Sequence, residues 1–488
     1  MRVPRTLAAL ILAALGVPLL SGQSRTSAGA PMRLTTSSEH ARQLFGQAII
    51  LGGNYRLDEC LKSLRAATAE DGSFAAAWAL LAYYATDPRE AASALAEAQS
   101  LAGKMSPSEM LLVRWVTALE RNDRLAAISD LNDLVHREAG DKFVLYLAGR
   151  WFVDQRDPQR AVPLFEQVLV YDPEFTPVLN RLGYSYAAMG DLARAEAVMQ
   201  RYVEAMPADP NPEDSYGDIL LKAGRYLDAK AHFEAALKKD PGFGPSQHEL
   251  GDVYALLGNQ EGARQAYEKS ARIAANPRRS LEYRSSIALS YVRENRYGFA
   301  DREYTALAAE ARQKKYTDLE AGFHEAMAIY QTDDAAALKE LDAAETAIRD
   351  DRDLSAVTRD ENMAVVRRWR ALRSLHAGNR AMAAVCLDVL AERYQLTDNE
   401  WIGMQMHALR GALLMDQKKF AAAIAELEQA GDDAFSLDLL ARARRETGDA
   451  SGAEAAMRQL LSIHASTLDS VLVVEPARSK LAATSASN

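Results

Sequence analysis

Cysteine is scarce: Cys60 and Cys386 are the only two among 488 residues. A chain stapled by disulfides uses many more, so that class is excluded. Aromatic residues are also few, at 7%, and alanine, leucine, glutamate and arginine dominate, a composition that suits helices. Signatures of chemistry are missing as well. There is no nucleophile elbow G-x-S-x-G and no Walker A loop. The histidines at 40, 136, 232, 248, 324, 376, 407 and 464 form no HExxH or other metal-ligand spacing. They read as surface or packing residues, so no catalytic residue, metal or cofactor is assigned. Positive charge is in deficit too. A net charge of −10 disfavours non-specific binding to nucleic acid or an anionic membrane. The basic clusters Arg278-Arg279 and Arg367-Arg368 with Arg370 are short and sit among acids, so a nucleic-acid partner is not expected.

The one long apolar run is at the start. Arg2 and Arg5 precede Leu7 to Leu20, and a Ser-, Thr- and Gly-rich stretch follows. This is the pattern of a secretory signal peptide over residues 1–30, which implies export to the periplasm or medium. The alternative is an uncleaved N-terminal anchor. The run is about 14 residues and holds Gly16 and Pro18, whereas a spanning helix needs about 20. Ala28-Gly29-Ala30 has the small-x-small form of a cleavage site, although Pro31 follows it. Leu20-Ser21-Gly22 is followed by Gln23, not cysteine, so a lipid anchor is not supported. No integral membrane span is expected in the mature chain, and residues 31–38 read as a flexible linker.

What is present is repetition. Glycine falls at 149, 183, 217 and 251, in steps of 34, and alanine at 127, 161, 195, 229 and 263 in the same steps. With 27 glycines in 488 residues, three further hits at fixed spacing have a chance probability on the order of 10⁻⁴. Each unit reads as a helical hairpin. Gly190-Asp191, Gly224-Arg225 and Gly258-Asn259 supply the turn between its helices. Pro173, Pro207 and Pro241 stop the second helix, and in the fourth unit Ala275 holds that slot with Pro277 two residues on. Glycine at the close contact lets two helices approach, and alanine on the second helix serves the same contact from the other side. Long apolar or aromatic residues such as Tyr186 and Phe233 are expected to fill the space between adjacent hairpins.

The slots Leu145, Ala148-Gly149, Phe152, Ala161, Phe165 and Pro173, repeated as Leu179, Leu182-Gly183, Tyr186, Ala195, Met199 and Pro207, resemble the tetratricopeptide repeat. That resemblance implies an all-α fold, an α-solenoid of stacked helix-turn-helix hairpins forming a right-handed superhelix. It covers 142–277 as four regular units. Degenerate hairpins are expected over 39–141, with Trp115 where glycine should stand. More are expected over 278–348 and over 363–478. The charged stretch 349–362 has no clean apolar stripe and reads as a linker between subarrays, and 479–488 as a frayed tail. In a solenoid, where each repeat touches its neighbours, Cys60 and Cys386 are too distant to bridge and read as buried thiols.

In the family the first helices line a groove that holds a peptide or partner helix. Carrying its inward slots over gives Tyr146, Arg150, Asn180, Tyr184, Asp214, Asp218, His248 and Asp252, a surface aromatic at one end and acidic at the other. The Lys/Asn/Arg clamp that relatives use for a C-terminal carboxylate is not matched. The expected function is a non-catalytic scaffold for a protein or peptide partner of basic or donor-rich character. The alternatives are a self-associating assembly factor of the cell envelope and ordinary solvated helix faces at these slots.

Overall fold

The computed structural model describes residues 31–54, 56–85, 87–121 and 123–486, and every regular element among them is a helix. The expected leader, residues 1–30, lies outside the described residues. The chain divides into two compact units, Met1–Asp191 and Leu192–Asn488.

The first unit stacks four hairpins and a ninth helix. The hairpins are α1 (Glu39–Gly53) with α2 (Leu57–Glu70), α3 (Ala75–Tyr84) with α4 (Pro88–Ser100), α5 (Pro107–Glu120) with α6 (Arg124–Arg137), and α7 (Lys142–Asp154) with α8 (Pro158–Tyr171); α9 is Thr176–Ala188. The second unit opens with α10 (Leu192–Ala205). Hairpins follow: α11 (Asn211–Lys222) with α12 (Tyr226–Lys239), α13 (Gly244–Leu256) with α14 (Gln260–Arg272), α15 (Pro277–Arg293) with α16 (Tyr297–Lys314), and α17 (Thr317–Tyr330) with α18 (Asp334–Asp350). Three more complete the series: α19 (Ala356–His376) with α20 (Arg380–Thr397), α21 (Glu400–Asp416) with α22 (Phe420–Leu427), and α23 (Ala434–Glu446) with α24 (Ala450–Leu461). A π-helical turn, Ser470–Val474, leads into α25 (Glu475–Ala486).

The repeated slots account for the packing. Ala161, Ala195, Ala229 and Ala263 are all fully buried. Each of three slot glycines faces the ring sixteen residues on, in its own hairpin. A Cβ at Gly149 would lie 2.4 Å from Phe165, one at Gly217 2.6 Å from Phe233, and one at Gly251 2.4 Å from Tyr267. The aromatic slot of the second helix thus packs within its hairpin, onto the bare backbone of the first. The rule reaches the later array, where a Cβ at Gly411 would lie 2.6 Å from Leu427. Trp115, which stands in the glycine slot of an earlier unit, is fully buried with its ring 5.1 Å from Tyr83 on the preceding hairpin.

Phe233, expected between adjacent hairpins, thus packs within its own hairpin, and three further expectations differ from the structure. Residues 31–38 are not a free linker: Met32 and Thr36 are buried, and the Met32 N–H donates to Asp141 Oδ2 at 2.6 Å. In the charged stretch 349–362, residues 351–355 alone lie outside helices, and Ile348 of α18 shares a core cluster with Val366 of α19. The apolar stripe is hard to see because Thr358 to Asn362 of α19 are all polar, and Ser355 caps the helix by accepting the Thr358 N–H. Of the expected tail, residues 479–486 belong to α25, which is joined to α15 by the ion pair of Arg293 with Glu475 at 2.8 Å. No helix among the described residues is long and apolar enough to cross a membrane.

Candidate functional site

The eight inward slots divide between the two units. In the first, Tyr146 and Asn180 are buried. Tyr146 stacks edge-on to Phe175 at 5.6 Å, and Gly53 at the end of α1 approaches so closely that a Cβ there would lie 2.6 Å from the Tyr146 hydroxyl. The end of α1 also meets α9: a Cβ at Gly53 would lie 2.5 Å from Pro177, and Asn54 donates to Thr176 Oγ1 at 3.1 Å. Arg150 lies over the rings of Tyr83 and Tyr84 at 5.2 and 5.0 Å. Tyr184 is half-buried. The N-terminal hairpins therefore cover this end of the aromatic surface, and it packs as core.

The second unit places Asp214 and Asp218 on α11 and His248 and Asp252 on α13, helices that pack against each other. All four are half-buried. Spacings of four residues put each pair on one helix face. Asp214 accepts a hydrogen bond from Ser246 Oγ at 2.6 Å. Asp218 pairs with Lys222 at 2.6 Å. Asp252 accepts from the Tyr267 hydroxyl at 2.6 Å. The His248 ring stacks on Tyr283 at 4.7 Å, with Nε2 2.9 Å from Ser286 Oγ.

Glu249, not among the expected slots, completes the cluster. Burial pushes its carboxyl well above the usual carboxylate range, and the charges of Asp252, Asp218 and Asp214 push the same way against Lys222. Its position three residues before Asp252 was the available signal. Burial likewise raises Asp214 to about 6, with Asp218 adding to it. Burial lowers His248, so the imidazole is neutral near pH 7, and Arg279 acts in the same direction. One donor atom each from His248, Glu249 and Asp252 lies within 4.8 Å of the others, close enough to converge on one cation. Two of the three already have protein partners.

Models of the tetratricopeptide repeat match residues 152–213 and 217–277. These two stretches are tetratricopeptide repeats. The matched residues are the regular hairpins whose glycine and alanine slots were described above. No curated protein matches the chain in sequence. Among solved structures it is similar to MamA, at 21% identity over 34% of this chain and 96% of that one, with a TM-score of 0.29. It is similar to a tetratricopeptide-repeat protein of Parabacteroides merdae ATCC 43184, at 16% identity over 52% and 99%, TM-score 0.36. It is also similar to YrrB, described as having an unusual peptide-binding site, at 20% identity over 45% and 96%, TM-score 0.28. In tetratricopeptide-repeat terms, Asp214, Asp218, His248, Glu249 and Asp252 all lie on first helices of regular units.

Proposed function

We propose that this protein is a non-catalytic protein-interaction scaffold, and that the acidic recess of α11 and α13 takes a lysine- or arginine-bearing segment of its partner. The observation that carries this reading is the crowding of Asp214, Asp218, Glu249 and Asp252 with Lys222 as the opposing cation. Burial raises the Glu249 and Asp214 carboxyls, and repulsion from the neighbouring acids adds to the rise. A partner cation entering the recess relieves that repulsion and lets the carboxyls ionise, which favours basic over acidic segments. Reversing Asp214 and Asp218 to lysine and measuring capture of partners from an extract tests the reading. Loss of basic partners is expected, and unchanged capture removes the recess from consideration.

The leader pattern supports a place of action outside the cytoplasm. Fractionation of cells expressing the tagged full chain checks it, and recovery in the cytosol alone contradicts it.

A further inference from the structure

Residues 31–37 lie across the first unit in the manner of a bound peptide. Arg42 of α1 donates to the Thr36 carbonyl at 2.8 Å, and two further anchors are carboxylates at the N-termini of successive first helices. Asp141 caps α7 by accepting the N–H groups of Phe143 and Val144 on Oδ1, at 2.8 and 2.9 Å. Its other oxygen accepts the Met32 N–H at 2.6 Å. Glu109 belongs to the capping box of α5 and accepts the Ser106 N–H on Oε2 at 2.9 Å. Its Oε1 accepts the Thr35 N–H at 3.0 Å and the Thr35 hydroxyl at 2.9 Å. Each carboxylate thus spends one oxygen on its helix and turns the other to residues 31–37. Both carboxylate residues are buried: Glu109 is fully enclosed and Asp141 is 4% exposed.

The fit beneath the segment is loose. A cavity of about 420 Å³ lies between it and the helices, lined by Met32, Leu34, Phe45, Leu112, Phe143 and Leu147 among others. The cavity opens to solvent, and its volume lies within the range of ligand sites. Arg33 and Ser37 are exposed and Leu34 half-exposed. The segment is therefore held at a few polar points over an apolar floor that the described residues leave open.

We propose that this edge of the first unit is a peptide-binding site, with residues 31–37 as its resident and exchangeable occupant. The seat is costly to leave empty, because departure of the segment strips a donor from each of two buried carboxylates. It opens in exchange for a partner segment that offers two main-chain N–H groups three residues apart. That segment also offers an apolar side chain large enough to fill the floor. The carboxylates select for donors, and the cavity selects for a side chain bulkier than the present fit allows. None of this depends on the acidic recess of the second unit, and charge reversal there leaves it unaffected.

The test uses the full chain and a labelled peptide of residues 31–37, PMRLTTS. Met32→Pro with Thr35→Pro removes both N–H donors and releases the resident segment. The variant is expected to bind one peptide per chain at least tenfold more tightly than the wild type does, and to ignore the peptide PMRLPTS. Equal binding by both chains, or no binding by a variant that keeps wild-type helix content, overturns the proposal. Hydrogen exchange on the wild type gives an answer that no folding defect affects. The Met32 and Thr35 amides are expected to exchange at least tenfold more slowly than in the free peptide, and faster than Leu145 and Ala148 inside α7. Exchange at the free-peptide rate, or as slow as in α7, overturns it.

Discussion

At the scale of single residues, a methyl group decides the spacing of a hairpin. A Cβ at Gly217 would sit 2.6 Å from the Phe233 ring. Alanine gains up to about 1 kcal/mol over glycine in helix propensity, but overpacking a core costs about 1–3 kcal/mol. Gly217→Ala is therefore expected to destabilise the chain in a denaturant titration. Phe233→Leu in the same chain should recover part of the loss, because the two substitutions are coupled. Additive costs would show that the close contact does not set the packing. Gly217 and Ala229 were legible from the 34-residue step. The identity of the ring against the glycine was not, because the repeat pattern does not say which surfaces of a hairpin meet.

Asp214 carries the pH dependence at this scale. Asp218 and Lys222 face it from its own helix, Ser246 and Glu249 from α13, and Tyr283 from α15. Its folded pKa is raised from 3.8 to about 6, so between those values the folded state holds more protons than the unfolded one. Stability then falls as pH rises through that window, and Glu249 acts in the same direction. The rise sets an upper limit of about 3 kcal/mol on the cost at neutral pH. Asp214→Asn is expected to raise stability at pH 8 by about 1–2 kcal/mol and to change it little near pH 4. An equal effect at both values would place the carboxyl in ordinary solvent.

At the scale of elements, the turns were the most legible part of the sequence. Gly190, Gly224 and Gly258 all have φ near +80°, as expected of glycine ending a first helix. Nothing lies within 4 Å of a Cβ at Gly258, so the demand there is conformational alone. Gly258→Ala is expected to cost about 1–2 kcal/mol, and Gly258→Asn less. Equal costs would mean that the left-handed turn is not what selects glycine. Gly224 differs, because the His464 ring would lie 2.7 Å from its Cβ. Tyr226 also meets His464, with its hydroxyl 2.7 Å from Nδ1. The C-terminal segment thus returns to an early hairpin of its unit, a contact that no spacing in the sequence announces. The same holds for residues 31–37, whose Ser, Thr and Arg content reads as a polar linker. Their order comes from Asp141 and Glu109, which lie 109 and 74 residues away from their partners.

At the scale of the whole molecule, the repeat settles the architecture and leaves specificity to the residues that depart from it. Cys60 and Cys386 are both buried free thiols, one in each unit. Burial raises Cys60 to about 11, against the nearby Arg150 charge, and raises Cys386 as well. Neither is a ready thiolate at neutral pH. A thiol reagent is expected to label the native chain slowly and the denatured chain at two sites, with mobility on a gel unchanged by reductant. Rapid labelling of the native chain would show that one of the helices around them opens.

The aromatic half of the expected surface, Tyr146, Arg150, Asn180 and Tyr184, shows why slots alone do not define a site. The slot pattern describes a hairpin among its neighbours, whereas Gly53 and Tyr83 arrive from hairpins outside the regular register. The acidic half keeps its arrangement and gains Glu249. The most direct measurement is a calorimetric titration of the full chain with a lysine-rich peptide at pH 5 and pH 8. Affinity is expected to rise at least tenfold at pH 8, where Asp214 and Glu249 lose their protons more readily. It should weaken with added salt, and it should be lost on reversing Asp214 and Asp218 to lysine. Binding that is the same at both pH values and survives the reversal would contradict the account.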